Sequence, residues 1–529
     1  MKYFPASKPW RNALFILLGV FVLSRILTLS AFPIFNDEAI YLQYAQRIHD
    51  DWQKNKFISM HGEFTDWKPP LMYWMAAPFI EWGNDPLIVG RAVAFLASIA
   101  GFLGFYLFAK ELFGETEGVI TALLYVLCPT VLFHNNQFTA ETFLVSTAAL
   151  LYWALLKALR RNDSRWWIWA VVAAVFGAAL LLFKQSGFLL LSLSILLPLA
   201  KMWRTEETDR TRFNWKATAL NISVVIAVII CSAIVADLIL PSAFNSTREH
   251  FNSRWVLSAG EVFRLPIDIW RANLGVVADY IGSYYTWAVA LFFIGFGWNA
   301  LRRGNFPALA LAGMCLAGAM AVTFLLRGFN EYMLNTAVTV VLLPLLASMA
   351  VMLYAPSDSR KGDLVRRAIL AGGGLVLAHW ASQDVLMGTS PGRYIERSTP
   401  WAISNYLTRW STGFGVKETV AILGKEKRPG ILFVDAQWGN PGTALEVYGK
   451  EHFPNLRIVP VSREFLDRAE TRKLKEAALK MAPLHLAVYS ADTDARRAQW
   501  QTNLQAEMCD SRREIKEYPS QAPIVFCSF

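Results

Sequence analysis

Charge is scarce in this 529-residue chain: only 17% of its residues are charged, against roughly 25% in soluble domains. That excludes an ordinary soluble protein, because 54% of the residues are hydrophobic and gather into runs. Each run is about 20 residues, enough at about 1.5 Å per residue to cross a hydrocarbon core of roughly 30 Å. Cysteine is scarce too. Of five, Cys128, Cys231 and Cys315 fall inside apolar runs and read as core, so no disulfide scaffold supports the fold. Cys509 and Cys527, in the polar tail, can pair if that tail lies in an oxidising compartment. There is no long internal repeat, no low-complexity tract and no metal-ligand spacing; His61 and His134 could join Asp37 or Glu141 around a metal, but no motif supports it. The basic residues behind the net charge of +10 are spread among the ends of apolar runs. They set orientation in a membrane and do not form a nucleic-acid patch.

What is present is a polytopic α-helical membrane protein with about 11 transmembrane helices and a C-terminal soluble α/β domain. Hydropathy places helices near residues 11–31, 86–109, 118–133, 139–158, 166–183, 186–200, 217–240, 284–301, 306–326, 331–354 and 367–387. The first run has a basic leader and carries Arg25 inside, which reads as a retained helix and not a cleaved signal. Pro70 to Trp82 is apolar but short and proline-rich, so it reads as a re-entrant or interfacial piece. Lys and Arg concentrate in alternate connections, among them Lys110, Lys157, Arg160, Lys201, Lys216, Arg302 and Arg360. That alternation puts the N-terminus on the cytoplasmic side and the C-terminus outside. Asp37, Glu38, His61, Lys68, His134, Glu141, Lys184, Arg327 and Glu331 then all fall at outer helix ends or in outer loops. The outer loops 32–85 and 241–283 carry interfacial helices. Beyond about residue 388, short β-branched segments at 431–436, 456–461, 485–490 and 524–529 alternate with helical patterns at 442–450, 463–480 and 495–508, the mark of an α/β domain spanning 388–529.

Carboxylates beside bilayer-depth sequence are expensive, and their default reading is a functional site. Asp37 suits a general base that accepts a proton from an acceptor hydroxyl. Glu38 can cap the following helix, orient Asp37 or touch the acceptor, and Glu141 is a second carboxylate, or a first-turn acid favoured by the helix dipole. Lys68 precedes two prolines that hold the chain extended and present its ammonium. With Lys184 and Arg327 it would neutralise an anionic lipid headgroup; snorkelling to the headgroups is the bland alternative for each.

In their order, NDEAIY after the first helix, WKPPLMYW before the second, an acid opening the fourth, FKQSG, and NEYMLNTAVTVVLLP resemble the GT-C fold glycosyltransferases that use polyprenyl-phosphate sugars. The nearest branch is the protein mannosyltransferase and aminoarabinose transferase group. The resemblance covers the membrane part, about three quarters of the chain. It implies catalytic roles for Asp37, Glu38 and Glu141, and donor-phosphate contacts by Lys68, Lys184, Arg327 and Tyr332. Two positions depart from the pattern: Ile40 stands where aminoarabinose transferases have arginine, and Glu331 precedes Tyr332 where a basic residue is frequent. The implied protein is an inverting glycosyltransferase of the bacterial inner membrane. It would move a sugar from a polyprenyl-phosphate donor to a hydroxyl of lipid A, lipopolysaccharide or another envelope glycolipid at the periplasmic face. No cofactor is required, though a divalent metal could replace the basic contact missing at Ile40. Protein O-glycosylation on the same fold is the alternative acceptor chemistry. A transporter would instead carry its charges at the bilayer midplane with related halves, and a non-enzymatic polyprenyl-lipid binder would need no carboxylates.

Overall fold

The computed structural model describes residues 8–60, 67–83, 85–160, 164–201, 215–240, 249, 252–286, 305–328, 331–354, 360–435, 439–461, 468–491, 502–503 and 505–529. In chain order the principal helices are α1 (Lys8–Thr28), α2 (Asn36–Asp50), α3 (Pro86–Leu112), α4 (Glu115–Leu127), α5 (Pro129–Asn135), α6 (Ala140–Ala158), α7 (Trp166–Phe183) and α8 (Gly187–Leu193). They continue with α9 (Trp215–Ile239), α10 (Ile267–Tyr280), α11 (Phe306–Leu325), α12 (Glu331–Tyr354) and α13 (Arg360–Thr389). Among the described residues six helices are long and apolar enough to cross a bilayer, or seven if the bent pair α4–α5 is one span. The count of 11 is therefore not confirmed among the described residues. Of the remaining expected spans, 284–301 lies mostly outside the described residues, 186–200 is broken into short pieces, and α6 and α13 fall short on composition.

The bend in α4–α5 is 64°. It falls at Cys128–Pro129, where proline has no N–H to continue the ladder, and leaves the last carbonyls of α4 without helical partners. Arg25 resolves this. Its guanidinium, buried in α1, donates to Val126 O at 2.9 Å and Tyr125 O at 3.4 Å, which explains a cation in an otherwise apolar helix.

Pro70 to Trp82 forms a short helix, Leu71–Ala76, followed by a 3₁₀ turn, Ala77–Phe79; Met72, Tyr73 and Ala76 are its buried face against α2. Ala259–Phe263 and α10 supply the helices expected in the second long loop. Phe263, Leu265, Ile267 and Leu274 stand exposed there, the apolar face an interfacial helix gives to lipid.

The C-terminal part is a five-stranded mixed sheet of β1 (Gly430–Asp435), β2 (Leu456–Val461), β3 (Leu484–Ser490), β4 (Ser511–Ile515) and β5 (Ile524–Ser528), in the order β2-β1-β3-β5-β4. The first three are parallel; β5 runs antiparallel to β3, and β4 antiparallel to β5. Helices α14 (Gly442–His452) and α15 (Arg468–Leu479) connect the parallel strands. Cys509 and Cys527 are disulfide-bonded. Strand β4 escapes sequence reading because SRREI exposes four of five residues at the sheet edge, where charge protects against further pairing.

Helix α14 lies along α2. Gln43 bonds Glu446, Gln46 Nε2 donates to Val447 O at 3.0 Å, and Lys450 Nζ reaches Asp50 at 3.4 Å and Glu81 at 3.1 Å. The pairing runs in step, so the two helices are parallel with their N-termini together. The hydrogen bond and charge of Lys450, with His49 nearby, hold the Glu81 carboxyl below its ordinary value. A depressed carboxyl stabilises above its undocked pKa and loses that contribution as pH falls through the docked one. Acidification below about pH 4.5 should therefore loosen α14 from α2. Hydrogen exchange of α14 against pH will show this, and Glu81→Gln should reduce the dependence, leaving the part due to Glu446, whose burial holds its carboxyl above its ordinary value.

Candidate active site

The first turn of α2 carries two carboxylates with different surroundings. Glu38 is fully buried, and its oxygens accept four hydrogen bonds. Arg91 Nε (2.9 Å) and Phe138 N–H (2.7 Å) fall on Oε1, and Arg91 Nη2 (2.7 Å) and Phe35 N–H (3.0 Å) on Oε2. Four acceptor positions are all that a carboxylate has, so Glu38 has no position left for a substrate proton. These contacts are those of a group that holds the chain in place, a different duty from the catalytic one expected of Glu38. Arg91 is as fully used: besides Glu38 it donates to Leu29 O (2.8 Å), Phe32 O (2.9 Å) and Pro33 O (3.0 Å). This pair fixes the chain from α1 into α2. Arg91 was missed in the sequence, where its only signal is an arginine one turn into an apolar run.

Asp37 is different, with about a third of its side chain exposed. Its Oδ2 accepts from Tyr41 Oη at 3.1 Å and lies 3.6 Å from Lys68 Nζ; its Oδ1 accepts from Asn36 Nδ2 at 3.3 Å. Lys68 Nζ also donates to Tyr41 Oη at 2.5 Å and stands 4.6 Å over the Tyr41 ring. Trp67, at φ 57°, turns the chain so that Lys68–Pro69 crosses the site. Gln185 Nε2 bonds the Trp67 carbonyl and ties this loop to the α7–α8 junction.

At that junction α7 ends in the extended Lys184. Gly187 permits the close return: a Cβ there would sit 2.3 Å from Leu180 O. Lys184 Nζ is buried 2.5 Å from Glu141 Oε1, at the start of α6. His134 lies within electrostatic reach of both and meets Tyr332 edge to face at 5.3 Å. Tyr332 in turn lies within electrostatic reach of both Asp37 and Glu141. Two carboxylate–ammonium pairs, Asp37–Lys68 and Glu141–Lys184, thus each hold a carboxylate within electrostatic reach of Tyr332. His61 lies outside the described residues.

An apolar cavity of about 530 Å³ opens beside them, lined by Pro69, Gln185 and Ser186 and by side chains of α8, α11 and α12 such as Leu189, Val322 and Met333. Arg327 is not brought to the paired charges. It binds Glu261 bidentately at 2.5 and 2.7 Å, while Val256 bridges Leu326 and Leu257 N–H donates to Leu325 O at 2.8 Å. These contacts strap residues 252–263 across the cavity, whose wall includes Asn252 and Val256. The described contacts of Arg327 are with this strap.

Apolar spans with bent and broken helices, acidic and basic side chains gathered at one end, and an appended mixed sheet make this a multi-pass membrane protein of the GT-C fold. A family model described as dolichyl-phosphate-mannose-protein mannosyltransferase matches residues 67–232, a stretch that holds Lys68, Glu141 and Lys184. The structure is similar to ArnT from Cupriavidus metallidurans bound to undecaprenyl phosphate, at 16% identity and TM-score 0.60, over 99% of this chain and 98% of that one. It is similar also to the Archaeoglobus fulgidus oligosaccharyltransferase in the apo form, at 14% identity and TM-score 0.50, over 91% and 69%. A sequence comparison with curated proteins finds no match.

Proposed function

We propose that this chain is an inverting glycosyltransferase that takes a sugar from a polyprenyl phosphate and gives it to a hydroxyl of an envelope glycolipid, lipid A or lipopolysaccharide among them. One observation carries the reading: Asp37 and Lys68 meet at 3.6 Å, beside an apolar cavity of about 530 Å³ whose wall begins at Pro69. A lipid tail fits the cavity, and a phosphate at its mouth would meet Lys68 and Lys184. Buried His134 Nδ1, Gln137 Nε2 and Thr139 Oγ1 have no hydrogen-bond partner among the described residues, and such orphaned groups suit a polar substrate.

The acceptor hydroxyl passes its proton to Asp37 as its oxygen bonds to the anomeric carbon. The bond from that carbon to the phosphate oxygen breaks, its electron pair leaves with the phosphate, and the configuration inverts. Lys68 and Lys184 meet the growing negative charge, so no step calls for a metal ion. The site faces the periplasm of a bacterial inner membrane with the N-terminus in the cytoplasm, which suits the Cys509–Cys527 disulfide.

Radiolabelled polyprenyl-phosphate sugars offered with isolated envelope fractions test this. Label should pass to glycolipid; label in protein would assign the alternative acceptor, and no transfer with any donor would refute the reading. Lys68→Ala should weaken undecaprenyl phosphate binding by about ten- to a hundredfold, the range of a hydrogen bond to a charged group, measured by titration in nanodiscs.

A further inference from the structure

We infer that the C-terminal part is a working component of the catalytic centre, with Tyr406 and the Gly439–Asn440 turn acting as positioning groups for Asp37. This rests on the glycosyl-transfer reading and deepens it. Three contacts carry it, all on the short stretch that delivers Asp37.

The first is Tyr406, which lies well past the last long helix and is buried. Its ring stacks on Phe35 at 4.2 Å and 26°; Phe35 is the residue from which α2 starts. Its hydroxyl bonds that of Tyr332 and donates to Gln137 Oε1 at 3.2 Å. One side chain thereby joins the entry of α2, the head of α12 and the α5–α6 turn, the three elements that bring Asp37, Tyr332 and Glu141 together.

The second is Asn440. Its N–H donates to Asn36 Oδ1 at 3.0 Å, and its side-chain amide to Ile34 O at 2.9 Å and Ser411 O at 3.1 Å. Asn36 then donates to Asp37 Oδ1, so a chain of hydrogen bonds runs from the sheet-bearing part to the proposed base. The third is steric. Gly439, at φ +104°, has Asn36 Oδ1 only 1.4 Å from where a Cβ would stand, so the turn is moulded onto Asn36 and no larger residue fits.

A part that served only for solubility would not thread a hydroxyl between catalytic elements or cradle the residue before the base. The consequence is a division of labour: the cavity and Lys68 bind the donor, while Tyr406 and Asn440 set the angle from which Asp37 reaches the acceptor.

The test uses the full-length protein in nanodiscs with a polyprenyl-phosphate sugar as donor and undecaprenyl phosphate as the binding probe. Tyr406→Phe removes only the hydroxyl and should lower kcat about tenfold. Gly439→Ala pushes Asn36 aside and should lower kcat on the order of a hundredfold, the scale of an ångström-size misplacement. Donor KM and undecaprenyl phosphate affinity should stay within about twofold in both. Unchanged kcat in Tyr406→Phe overturns the inference, and that isosteric variant decides alone if Gly439→Ala does not fold. A fall in kcat matched by equal losses of phosphate affinity and thermal stability also overturns it, since that marks mere structural support. Wild-type protein that transfers nothing refutes the glycosyl-transfer reading, and this inference with it; equal transfer by wild type and variants refutes the inference alone.

Discussion

Asp37→Asn should lower glycosyl transfer by about a thousandfold, within the range ascribed to a positioned general base, while undecaprenyl phosphate binding and thermal stability stay close to those of the wild type. The amide keeps the size of the carboxylate and can still accept from Tyr41, but it cannot take a proton. Stability is spared because the Asp37 side chain is about 31% exposed and its nearest cation, Lys68, about 21%; pairs with that much access to water contribute little. Single-turnover transfer and a binding titration on one preparation separate the two effects. Full transfer by Asp37→Asn would remove Asp37 from the role of base.

The neighbouring acid should behave in the opposite way. Glu38→Ala and Arg91→Ala are each expected to destabilise the protein by about 3–5 kcal/mol, because each leaves a buried charge without its partner. Replacing both with apolar residues of similar volume should cost much less than the sum. Thermal unfolding in detergent across a double-mutant cycle measures this. A Glu38→Gln protein of wild-type stability that has lost transfer would restore Glu38 to the catalytic group. Adjacent acids on one helix turn thus have separate duties, set by what faces each of them.

That separation marks the limit of what the sequence makes legible. NDEAIY, WKPP and FKQSG pointed to Asp37, Lys68 and Lys184, because charge next to bilayer-depth sequence has few other uses; the structure brings these residues into two pairs with Glu141. Choosing between Asp37 and Glu38 needed Arg91, 53 positions away from Glu38 and set in an apolar helix like any buried cation. Arg327 looked equivalent to Lys68 and Lys184, and only the strap it forms with Glu261 sets it apart. Tyr406 and Asn440 carried no signal at all: their contacts with Phe35, Asn36 and Ile34 span hundreds of residues, and aromatics and asparagines are common in loops. The C-terminal strands read well where β-branched residues are buried, and β4 did not because its composition is that of a solvated edge.

Arg25 bears on how the protein is made. The carbonyls that receive its guanidinium belong to residues synthesised about a hundred positions later. Until those residues exist, the cation in the last turn of α1 lacks these acceptors. The first span and the third are therefore tied together, since the broken end of α4 accepts from the Arg25 guanidinium.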